Sequence, residues 1–460
     1  MIRFLKILMF VLAISAFISH TTRATTRAAA SCNESDVQAA VNSASNGDTV
    51  IIPACSQTNW GSNSNGDTPL NVTKDITIEG AGQGVTTIGD NIYKGNPSTC
   101  VGKEPLINWT PTVSGTTGFR LTGITIVGIA TDAGVCQAGH IYITGNNHYM
   151  QIDHVTITSA QTVMIYTDGD IWGVITTCSF TGDFVDGVRV EDLNWNGFSS
   201  WNDAWGDAAW NTPIQYGSAQ GVYIENSSFT NTNSSFDIGG ATDCFSGGHV
   251  IFRYNTVSMY NNQSHGADSD QRHRACRWQE IYNNTYTYSN VNNLAFISWI
   301  RGGTGVVYNN TITAPGYTNK IVQAVNCRDA SAGCGGGPSY TPWGACNGTS
   351  AYDQNNSGGY RCVDQPGAGT SNLLGPDPSG TVTPANAWVG NSLDPIYVWN
   401  NTLNGSSNNT TSGSTNVTAN RDYYTGTARP NYTPYTYPYP ATQGSSGTVA
   451  PPTSLQATVQ

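Results

Sequence analysis

The stretch IYNNTYTYSNVNNLAFISWIRGGTGVVYNNTI (281–312) contains one six-residue pattern twice, as IYNNTY (281–286) and VYNNTI (307–312). In each copy an apolar residue is followed four positions later by Ser or Thr, and then by a second apolar residue. The pattern occurs at six other places: LTGITI (121–126), IDHVTI (152–157), ITTCSF (175–180), IENSSF (224–229), FRYNTV (252–257) and VWNNTL (398–403). Eight copies of one short pattern indicate a protein built from stacked repeats.

The distances between the copies set the size of the repeat. The Ser/Thr positions are Thr125, Thr156, Ser179, Ser228, Thr256, Thr285, Thr311 and Thr402, so the successive spacings are 31, 23, 49, 28, 29, 26 and 91 residues. Spacings of 23 to 31 residues match one coil of a parallel β-helix with a loop of variable length. The spacing of 49 indicates a double coil or an insertion, and that of 91 a large insertion at about 314–395. We therefore predict an all-β solenoid of about ten coils.

One position of the repeat is filled by asparagine in four copies. These residues are Asn255, Asn284, Asn310 and Asn401. Asparagine tolerates left-handed turn conformations, and its side-chain amide can hydrogen-bond the asparagine of the next coil. We expect this ladder to support the fold and to have no role in chemistry.

The composition limits the classes of function. The 460-residue chain has a formal net charge of −11, and only 11% of its residues are charged. Few basic residues and net acidity argue against general nucleic-acid binding. They also disfavour a polyanionic substrate, unless a local basic cluster or a bound cation offsets the field.

The first thirty residues have the order of a secretory signal. Arg3 and Lys6 precede an apolar run at 7–18, and a stretch of small residues ends at Ala30. The run is too short to span a bilayer comfortably. We predict a signal peptide over 1–30, a β-helix domain over 31–425 and a Pro/Tyr-rich tail or linker over 426–460. The mature protein is expected to be secreted or periplasmic, monomeric and free of the membrane.

The segment after the signal has the pattern of a helix, a turn and a strand. It reads SCNESDVQAAVNSASNGDTVIIPAC (31–55) and is followed by DITIEGAGQGVTTI (75–88), with Ser35 as a candidate cap for a helix at 36–44. These residues resemble the entry cap and first rung of the pectate-lyase-like right-handed parallel β-helix family, and the resemblance continues through most of the chain. It implies a right-handed parallel β-helix with a short N-terminal capping helix. A fold does not by itself imply an activity.

All eleven cysteines lie after residue 30, as expected of an exported chain in an oxidising compartment. The expected pairs are Cys32–Cys55, Cys100–Cys136 and Cys244–Cys276. Four others, Cys327, Cys334, Cys346 and Cys362, are expected to cross-link the Gly-rich insertion. Cys178 is left over and is predicted to be a buried free thiol.

Charge is concentrated in one stretch, HGADSDQRHRACR (265–277), in which seven of thirteen residues are Asp, Arg or His. Because side chains on β-helix strands alternate inward and outward, equivalent positions on successive coils lie about 4.8 Å apart. Counting from the Ser/Thr of each repeat places strands at 187–191, 235–239 and 264–268. Arg189, Asp237 and His265 then point outward, with Asp237 and His265 as direct neighbours.

This column defines the candidate site. The candidates for catalysis are His265, Asp237, Arg272, Arg274 and Arg189. The candidates for substrate contact include His273, Arg277 and Arg301. The candidate Ca²⁺ ligands are Asp183, Asp186, Asp268 and Asp270, because calcium prefers carboxylate oxygens. The alternative is a salt-bridged, solvated face with structural arginines.

A tryptophan-rich segment, LNWNGFSSWNDAWGDAAWNTPIQY (193–216), interrupts the repeat. Trp195, Trp201, Trp205 and Trp210 are either a small core that covers one side of the helix or a platform on which sugar rings stack.

Three functions fit these residues. A polysaccharide lyase acting on a uronate polymer needs a base and a cation. His or Arg is the candidate base, and arginines or Ca²⁺ are the candidate cations. The Lys–Arg arrangement of some β-helix lyases has no match in this sequence. A glycoside hydrolase needs two carboxylates. Asp243 followed by His265-Gly266 is similar to the polygalacturonase pattern, whose paired Asp and Arg-x-Lys elements are missing here. A non-catalytic polysaccharide-binding or adhesive β-helix would use the tryptophans alone.

Overall fold

The chain winds into a right-handed parallel β-helix in which each coil adds strands to three parallel sheets. The computed structural model describes residues 24–96, 98–112, 118–130, 139–160, 162–183, 185–192, 209–210, 212–233, 240–266, 274–289, 296–329, 345–347, 362, 364–369 and 392–440. The predicted fold class is confirmed.

The first sheet holds the strands that begin each repeat. Its strands are β1 (Thr26–Ala28), β2 (Thr49–Ile52), β5 (Thr77–Gly80), β8 (Phe119–Gly128), β9 (Ile141–Ala160), β10 (Val163–Thr176), β13 (Val222–Glu225), β16 (His249–Arg253), β19 (Trp278–Tyr282), β22 (Thr304–Tyr308), β25 (Ile396–Trp399) and β29 (Tyr423–Thr425).

The second sheet follows after a turn. Besides parts of β8 and β9, it contains β3 (Cys55–Trp60), β6 (Thr86–Asp90), β11 (Ser179–Asp183), β14 (Ser228–Asn231), β17 (Thr256–Ser258), β20 (Thr285–Thr287), β23 (Thr311–Thr313) and β26 (Thr402–Leu403). A short strand β27 (Ser406–Ser407) pairs antiparallel with β26. The predicted Ser/Thr positions from Thr125 to Thr402 pair with one another along this sheet.

The third sheet carries the candidate site. Besides parts of β9 and β10, it contains β4 (Leu70–Val72), β7 (Ile107–Trp109), β12 (Asp186–Glu191), β15 (Gly240–Cys244), β18 (Asn261–Ser264), β21 (Ser298–Ile300), β24 (Val322–Ala324) and β28 (Thr411–Gly413). The predicted start of the large insertion, at about residue 314, is too early. Strand β24 still pairs with β21 in this sheet, so the coil continues to at least residue 324. The return to the scaffold at β25 is as predicted.

The core fills the inside of the coils with apolar side chains that stack from coil to coil on all three sheets. On the second sheet the inward row runs through Phe180, Phe229 and Val257, and the first two rings stack at 4.7 Å. Burial of each such side chain contributes about 1.5–3 kcal/mol, so repetition along the axis stabilises the whole solenoid.

The asparagine ladder forms as predicted. The Nδ2 atoms of Asn255, Asn284 and Asn310 each donate to the Oδ1 of the next asparagine, at 3.2, 3.0 and 2.9 Å, and Asn401 Nδ2 donates in turn to Asn409 Oδ1 at 3.1 Å. All four residues are buried. The row therefore satisfies polar groups inside the turns, which an apolar side chain would leave unpaired.

The helix α1 (Glu34–Ser43) covers the N-terminal end of the described coils. Its apolar face contributes Val37, Ala40 and Val41 to the core. The helix begins earlier than predicted, and its N-cap is Asn33, so Ser35 lies inside the first turn. At the other end Lys74 Nζ donates to three carbonyl groups of the last turn and beyond, at 2.6–2.9 Å, as expected for a cation at a helix C-terminus.

The cysteine predictions are confirmed where both partners are described. Disulfides join Cys32 to Cys55, Cys244 to Cys276 and Cys346 to Cys362. Cys178 is a buried free thiol, and burial raises its pKa to about 12. Cys100 and Cys327 are also disulfide-bonded; Cys136, the expected partner of Cys100, and Cys334 lie outside the described residues.

Segments outside the predicted bounds of 31–425 contact the coils at both ends. At the N-terminus β1 pairs with β2 although it precedes residue 31, so a cleavage after residue 30 would remove a paired strand. At the C-terminus the segment 429–440 packs along the outside of the first sheet. In the part of the chain that is described, no helix is long and apolar enough to cross a membrane.

Candidate active site

Six residues form one outward row on the third sheet. Paired strand by strand, they are Tyr142, Tyr166, Arg189, Asp243, Gln263 and Trp299, and we call them the outer row. The residues that flank Arg189 along its strand, Val188 and Val190, lie in the core. Because successive side chains on a strand point to opposite faces, the outer row faces away from the core.

His265 directly follows β18 and contacts the outer row through Asp243. Its Nδ1 lies 2.8 Å from Asp243 Oδ1; the carboxylate side chain is 4% exposed and the imidazole 27% exposed. The His265 backbone donates to the Cys244 carbonyl and accepts from the Cys276 N–H. A disulfide joins these two cysteines, so the ring is anchored from its backbone and from Nδ1. A carboxylate at Nδ1 leaves Nε2 as the basic nitrogen of neutral imidazole, which is the arrangement that a general base requires.

Asp186 and Arg189 form a buried ion pair on the strand next to Asp243. Arg189 Nε donates to Asp186 Oδ2 at 3.0 Å, and its Nη2 makes a second contact. The guanidinium carbon lies 5.5 Å and 5.4 Å from the ring centroids of Tyr166 and Phe245. Burial raises the pKa of Asp186 to about 7, although the positive charge of Arg189 lowers it. The negative charge of Asp243 raises it further. The guanidinium of Arg189 therefore interacts with two nearby carboxylates, those of Asp186 and Asp243.

Arg301 supplies a second cation near Asp243. Its Nε donates to the Ser264 carbonyl at 3.0 Å, and its guanidinium lies 4.9 Å from the centre of the Trp299 ring. Both Arg301 and Trp299 are partly exposed. Burial lowers the pKa of Arg301 to about 10, and Asp243 opposes the change. Burial raises the pKa of Asp243, against the charges of Arg189 and Arg301.

Two tyrosine–carboxylate pairs extend the site toward the N-terminal coils. Tyr142 Oη donates to Asp168 at 2.9 Å, and Tyr166 Oη donates to Glu191 on the next coil. The two rings pack edge to face at 4.9 Å. Burial, with the nearby carboxylates, raises the pKa of both tyrosines, which keeps both hydroxyl groups protonated.

Two further His–Asp pairs lie at the adjoining corner of the coil. His148 Nε2 lies 3.0 Å from Asp170 Oδ1, and His249 Nε2 lies 3.6 Å from Asp192 Oδ2. Burial lowers the pKa of His249 well below its ordinary value, and the charge of Arg277 adds to this. Burial also raises the pKa of Asp192 well above its ordinary value, with further contributions from neighbouring carboxylates. His249 is therefore neutral at ordinary pH and unsuited to proton transfer with solvent.

The structure places Asp243 where Asp237 was expected. The strand between β12 and β18 is Gly240–Cys244, not 235–239, so the predicted register was wrong. The equal offsets assumed loops of equal length, but the loop after β14 is longer than that after β17. Several candidates lie outside the described residues: Asp237, Asp268, Asp270, Arg272, His273, Trp195, Trp201 and Trp205.

Arg274, Arg277 and Trp210 are fully buried. Arg274 forms a bidentate ion pair with Asp364, at 2.6 and 2.7 Å. The Trp210 ring packs against both guanidinium groups, at 5.0 and 4.9 Å, and its Nε1 donates to the Ala275 carbonyl at 2.7 Å. This arrangement matches the small-core interpretation of the tryptophan-rich segment at Trp210, and leaves no ring face there for a sugar.

Two of the four candidate Ca²⁺ ligands, Asp183 and Asp186, are described, and each contacts another side chain. Asp186 is paired with Arg189, and Asp183 accepts a hydrogen bond from Asn233 Nδ2 at 3.0 Å. Among the described residues, no group of three or more His, Cys, Asp or Glu side chains is arranged to hold a metal ion.

Sequence reasoning missed the tyrosines and the tryptophan of the outer row. Tyr142, Tyr166 and Trp299 stand at alternating positions of strands whose flanking residues are apolar, such as Ile165 and Ile300. Strand alternation is the signal that would have identified them, had the third sheet been aligned coil by coil.

Two solved structures similar to this chain are of polysaccharide-degrading enzymes. One is an alginate lyase from Paenibacillus sp. str. FPU-7, with 12% identity over 65% of this chain and 90% of that chain and a TM-score of 0.43. The other is a family 28 exopolygalacturonase from Yersinia enterocolitica, with 11% identity over 66% of this chain and 72% of that chain and a TM-score of 0.28. No family model matches the chain, and no curated protein matches it significantly. At this level of similarity the activities of the two enzymes do not transfer to this chain.

Proposed function

We propose that this protein is an extracellular carbohydrate-active enzyme that cleaves a uronate-containing polysaccharide by β-elimination at His265. The observation that carries the proposal is the contact between the partly exposed imidazole of His265 and the buried carboxylate of Asp243. Disulfide bonds fit an extracellular location.

In this proposal His265 is the base that β-elimination requires. His265 Nε2 takes the proton α to the uronate carboxylate, while Asp243 stabilises the imidazolium that forms. The electron pair left on carbon forms the new double bond as the bond from the β carbon to the glycosidic oxygen breaks. The imidazolium of His265 then returns its proton to that oxygen, so that one residue serves as base and then as acid.

Arg301 and Trp299 provide the groups that bind the uronate. A guanidinium neutralises the substrate carboxylate and the enolate-like charge that develops on it. An indole packs against the apolar face of a sugar ring. Both side chains are partly exposed and lie 4.9 Å apart, beside His265 on the next coil.

A panel of pectic, alginate and neutral polysaccharides tests the proposal. Each polymer is incubated with the protein and assayed for the ultraviolet absorbance of unsaturated uronates and for new reducing ends. Lyase activity raises both signals on a uronate polymer and neither on a neutral one. Absence of cleavage on every polymer, by a folded preparation, would contradict an enzymatic role.

Glycoside hydrolysis is a second candidate, favoured by one observation. Asp186 and Asp243 are two buried carboxyl groups on adjacent strands, and the pKa of Asp186 is raised to about 7. A hydrolase requires one carboxyl group as acid and another as base or nucleophile. New reducing ends without ultraviolet absorbance in the same assay would support this candidate over the lyase.

A further inference from the structure

The backbone of His265 is held by a short segment that follows the charged stretch. Residues 274–277, which we call the return segment, are all buried. Within it Ala275 forms an antiparallel bridge with Phe245. The next residue, Cys276, donates its N–H to the His265 carbonyl at 3.1 Å. The path of the return segment therefore helps to fix the backbone that carries the proposed base.

Asp364, in the insertion, binds the return segment through its side chain. The carboxylate accepts two hydrogen bonds from the Arg274 guanidinium, at 2.6 and 2.7 Å, and its Oδ2 also accepts the Ala275 N–H at 3.1 Å. Asp364 is buried, so water screens these charge-assisted bonds little. The Cys244–Cys276 disulfide fixes one end of the return segment, and Asp364 fixes the other end.

The backbone of the same residue contacts the turn that follows Arg301. The Gly303 N–H donates to the Asp364 carbonyl at 3.1 Å. A Cβ atom on Gly302 would lie 2.6 Å from the Asp364 carbonyl oxygen and 3.2 Å from Gly266 Cα, so only glycine permits this close approach. The turn is therefore packed between Asp364 and the residue that follows the proposed base.

The chain on both sides of Asp364 is anchored as well. Two residues earlier, Cys362 is joined to Cys346 by a disulfide. Three residues later, the Gly367 N–H donates to the Gly303 carbonyl at 2.7 Å. The position of the Asp364 carboxylate is thus set by contacts that lie before and after it in the sequence.

We propose that Asp364 is a positioning residue of the active site. Its side chain holds the return segment, and thereby the backbone of His265, while its backbone holds the turn after Arg301. Both groups must face one uronate, the base at the α proton and the cation at the carboxylate. A misplacement on the order of 1 Å can reduce a rate about 10²-fold. This inference rests on the function proposed above for the roles of His265 and Arg301.

Asp364→Asn tests the positioning role on the polymer that the natural protein cleaves. The variant keeps a side-chain acceptor for the Ala275 N–H but removes the negative charge beside Arg274. We expect kcat to fall by at least about ten-fold while KM changes by less than about three-fold, because misplaced groups weaken interactions in the transition state more than ground-state binding. An unchanged kcat, measured where the variant is fully folded, would overturn the inference.

A double variant, Arg274→Met with Asp364→Leu, keeps the test decisive if Asp364→Asn does not fold. Replacing a buried ion pair by apolar side chains of similar volume is often neutral for stability, yet the acceptor for Ala275 is lost, so the same fall in kcat is expected. Asp153→Asn is the matched control, since Asp153 accepts two bonds from Arg120 at the same distances, 2.6 and 2.7 Å, on the first sheet. Full kcat in the double variant, or an equal loss in Asp153→Asn, would overturn the inference.

A measurement without turnover separates this inference from the proposed reaction. Nitrogen NMR of isotope-labelled histidine reports which ring nitrogen of His265 carries the proton, and His265→Ala assigns the signals. We expect Nδ1–H in the natural protein, because Nδ1 lies 2.8 Å from the Asp243 carboxylate, and a larger share of Nε2–H in Asp364→Asn. A changed tautomer in a protein that cleaves no polymer would support the positioning role while contradicting the reaction. A natural tautomer together with a natural kcat would overturn the positioning role and leave the reaction intact.

Discussion

Asp243 and His265 touch across adjacent coils, with 2.8 Å between Oδ1 and Nδ1, although they are 22 residues apart in sequence. Each residue is fixed by its neighbours: Asp243 lies on a strand opposite Arg189, and His265 is anchored at the Cys244–Cys276 disulfide. The parallel register, not sequence proximity, therefore creates the proposed base.

Replacing His265 by alanine should reduce cleavage by at least about a hundred-fold, because general bases contribute about 10²–10⁴-fold to rates. Asp243→Asn should also reduce cleavage, because the amide no longer stabilises the imidazolium. The free energy of unfolding of His265→Ala should change by about 1 kcal/mol or less, since the ring is partly exposed. Initial rates on the cleaved polymer and urea denaturation measure the two effects.

His154→Ala is the control for that experiment. His154 forms a similar pair, with Nδ1 2.8 Å from Asp153 Oδ2, but it lies at the turn between the first-sheet and second-sheet parts of β9 and is 57% exposed. Its replacement should leave the rate unchanged. If His265→Ala keeps the full rate, or if both variants lose it equally, His265 is not the base.

The architecture was predictable because the core repeats. Each coil places the same types of residue at the same heights, so eight copies of one pattern and the asparagine column were enough to predict a parallel β-helix. The expected pair Cys32–Cys55 forms, although the cysteine spacings alone do not fix the connectivity. The start of α1 was missed by two residues, because Asn33 and Ser35 are both acceptable N-caps and the sequence does not choose between them.

The site was less predictable because it depends on loop length. His265 and Arg189 were expected to face outward, and they do, but the partner of His265 is Asp243 and not Asp237. The number of residues between the Ser/Thr of a repeat and the next strand differs from coil to coil. An error in that number assigns a different side chain to the outer row. Asp364, which pairs with Arg274, lies 90 residues away in the insertion and has no periodicity to reveal it.

Asn284→Ala should destabilise the protein by about 2–3 kcal/mol. Its side chain donates to Asn310 and to the Phe252 carbonyl and accepts from the backbone N–H of Asn255, so removal leaves buried polar groups unpaired. Chemical denaturation measures the effect. Thr285→Ala, at the adjacent exposed position, should cost less than about 0.5 kcal/mol. Equal losses of unfolding free energy in both variants would show that the asparagine hydrogen bonds do not stabilise the fold more than an exposed side chain does.

Asp48→Asn should destabilise the N-terminal strand in a pH-dependent way. Burial alone would raise the pKa of Asp48, but hydrogen bonds from Thr25 and Ser45 outweigh it and lower the pKa to about 2. Since the folded pKa lies below the unfolded value of about 3.9, the stabilisation is present above pH 4 and is lost as the pH falls toward 2. We expect a loss on the order of 1 kcal/mol at pH 7, after allowance for solvent screening.

Urea denaturation at pH 7 and at pH 2.5 checks that prediction. The difference between the natural protein and the Asp48→Asn variant should shrink at the lower pH. Glu79→Gln, an exposed carboxylate on the neighbouring β5, should show no such dependence. A difference that stays constant between the two pH values would mean that the hydrogen bonds to Asp48 do not depend on its charge.

The tail is held against the first sheet by one buried arginine. Arg253 donates through Nε to Glu225 at 2.8 Å, and through its terminal nitrogens to the carbonyls of Tyr435 and Thr436 at 2.8 and 2.9 Å. Farther along, Tyr432 Oη donates to Glu280 at 2.6 Å. The tail thereby covers an aromatic row on the outside of the coils: Tyr223, Tyr282, Tyr308 and Trp399.

Arg253→Met should release the tail and destabilise the protein by about 3–5 kcal/mol, because Glu225 is left buried without its cation. Limited proteolysis should then cut near residue 430, which the packed tail protects in the natural protein, and chemical denaturation gives the loss in free energy.

Tyr437→Phe is the matched control, since it removes only the hydrogen bond from Tyr437 Oη to the exposed Asn226 and keeps the ring stacked on Tyr254 at 3.7 Å. It should cost less than about 1 kcal/mol and leave the tail protected. If Arg253→Met is destabilised while the tail remains resistant to proteolysis, the arginine stabilises the coils alone and the tyrosines hold the tail.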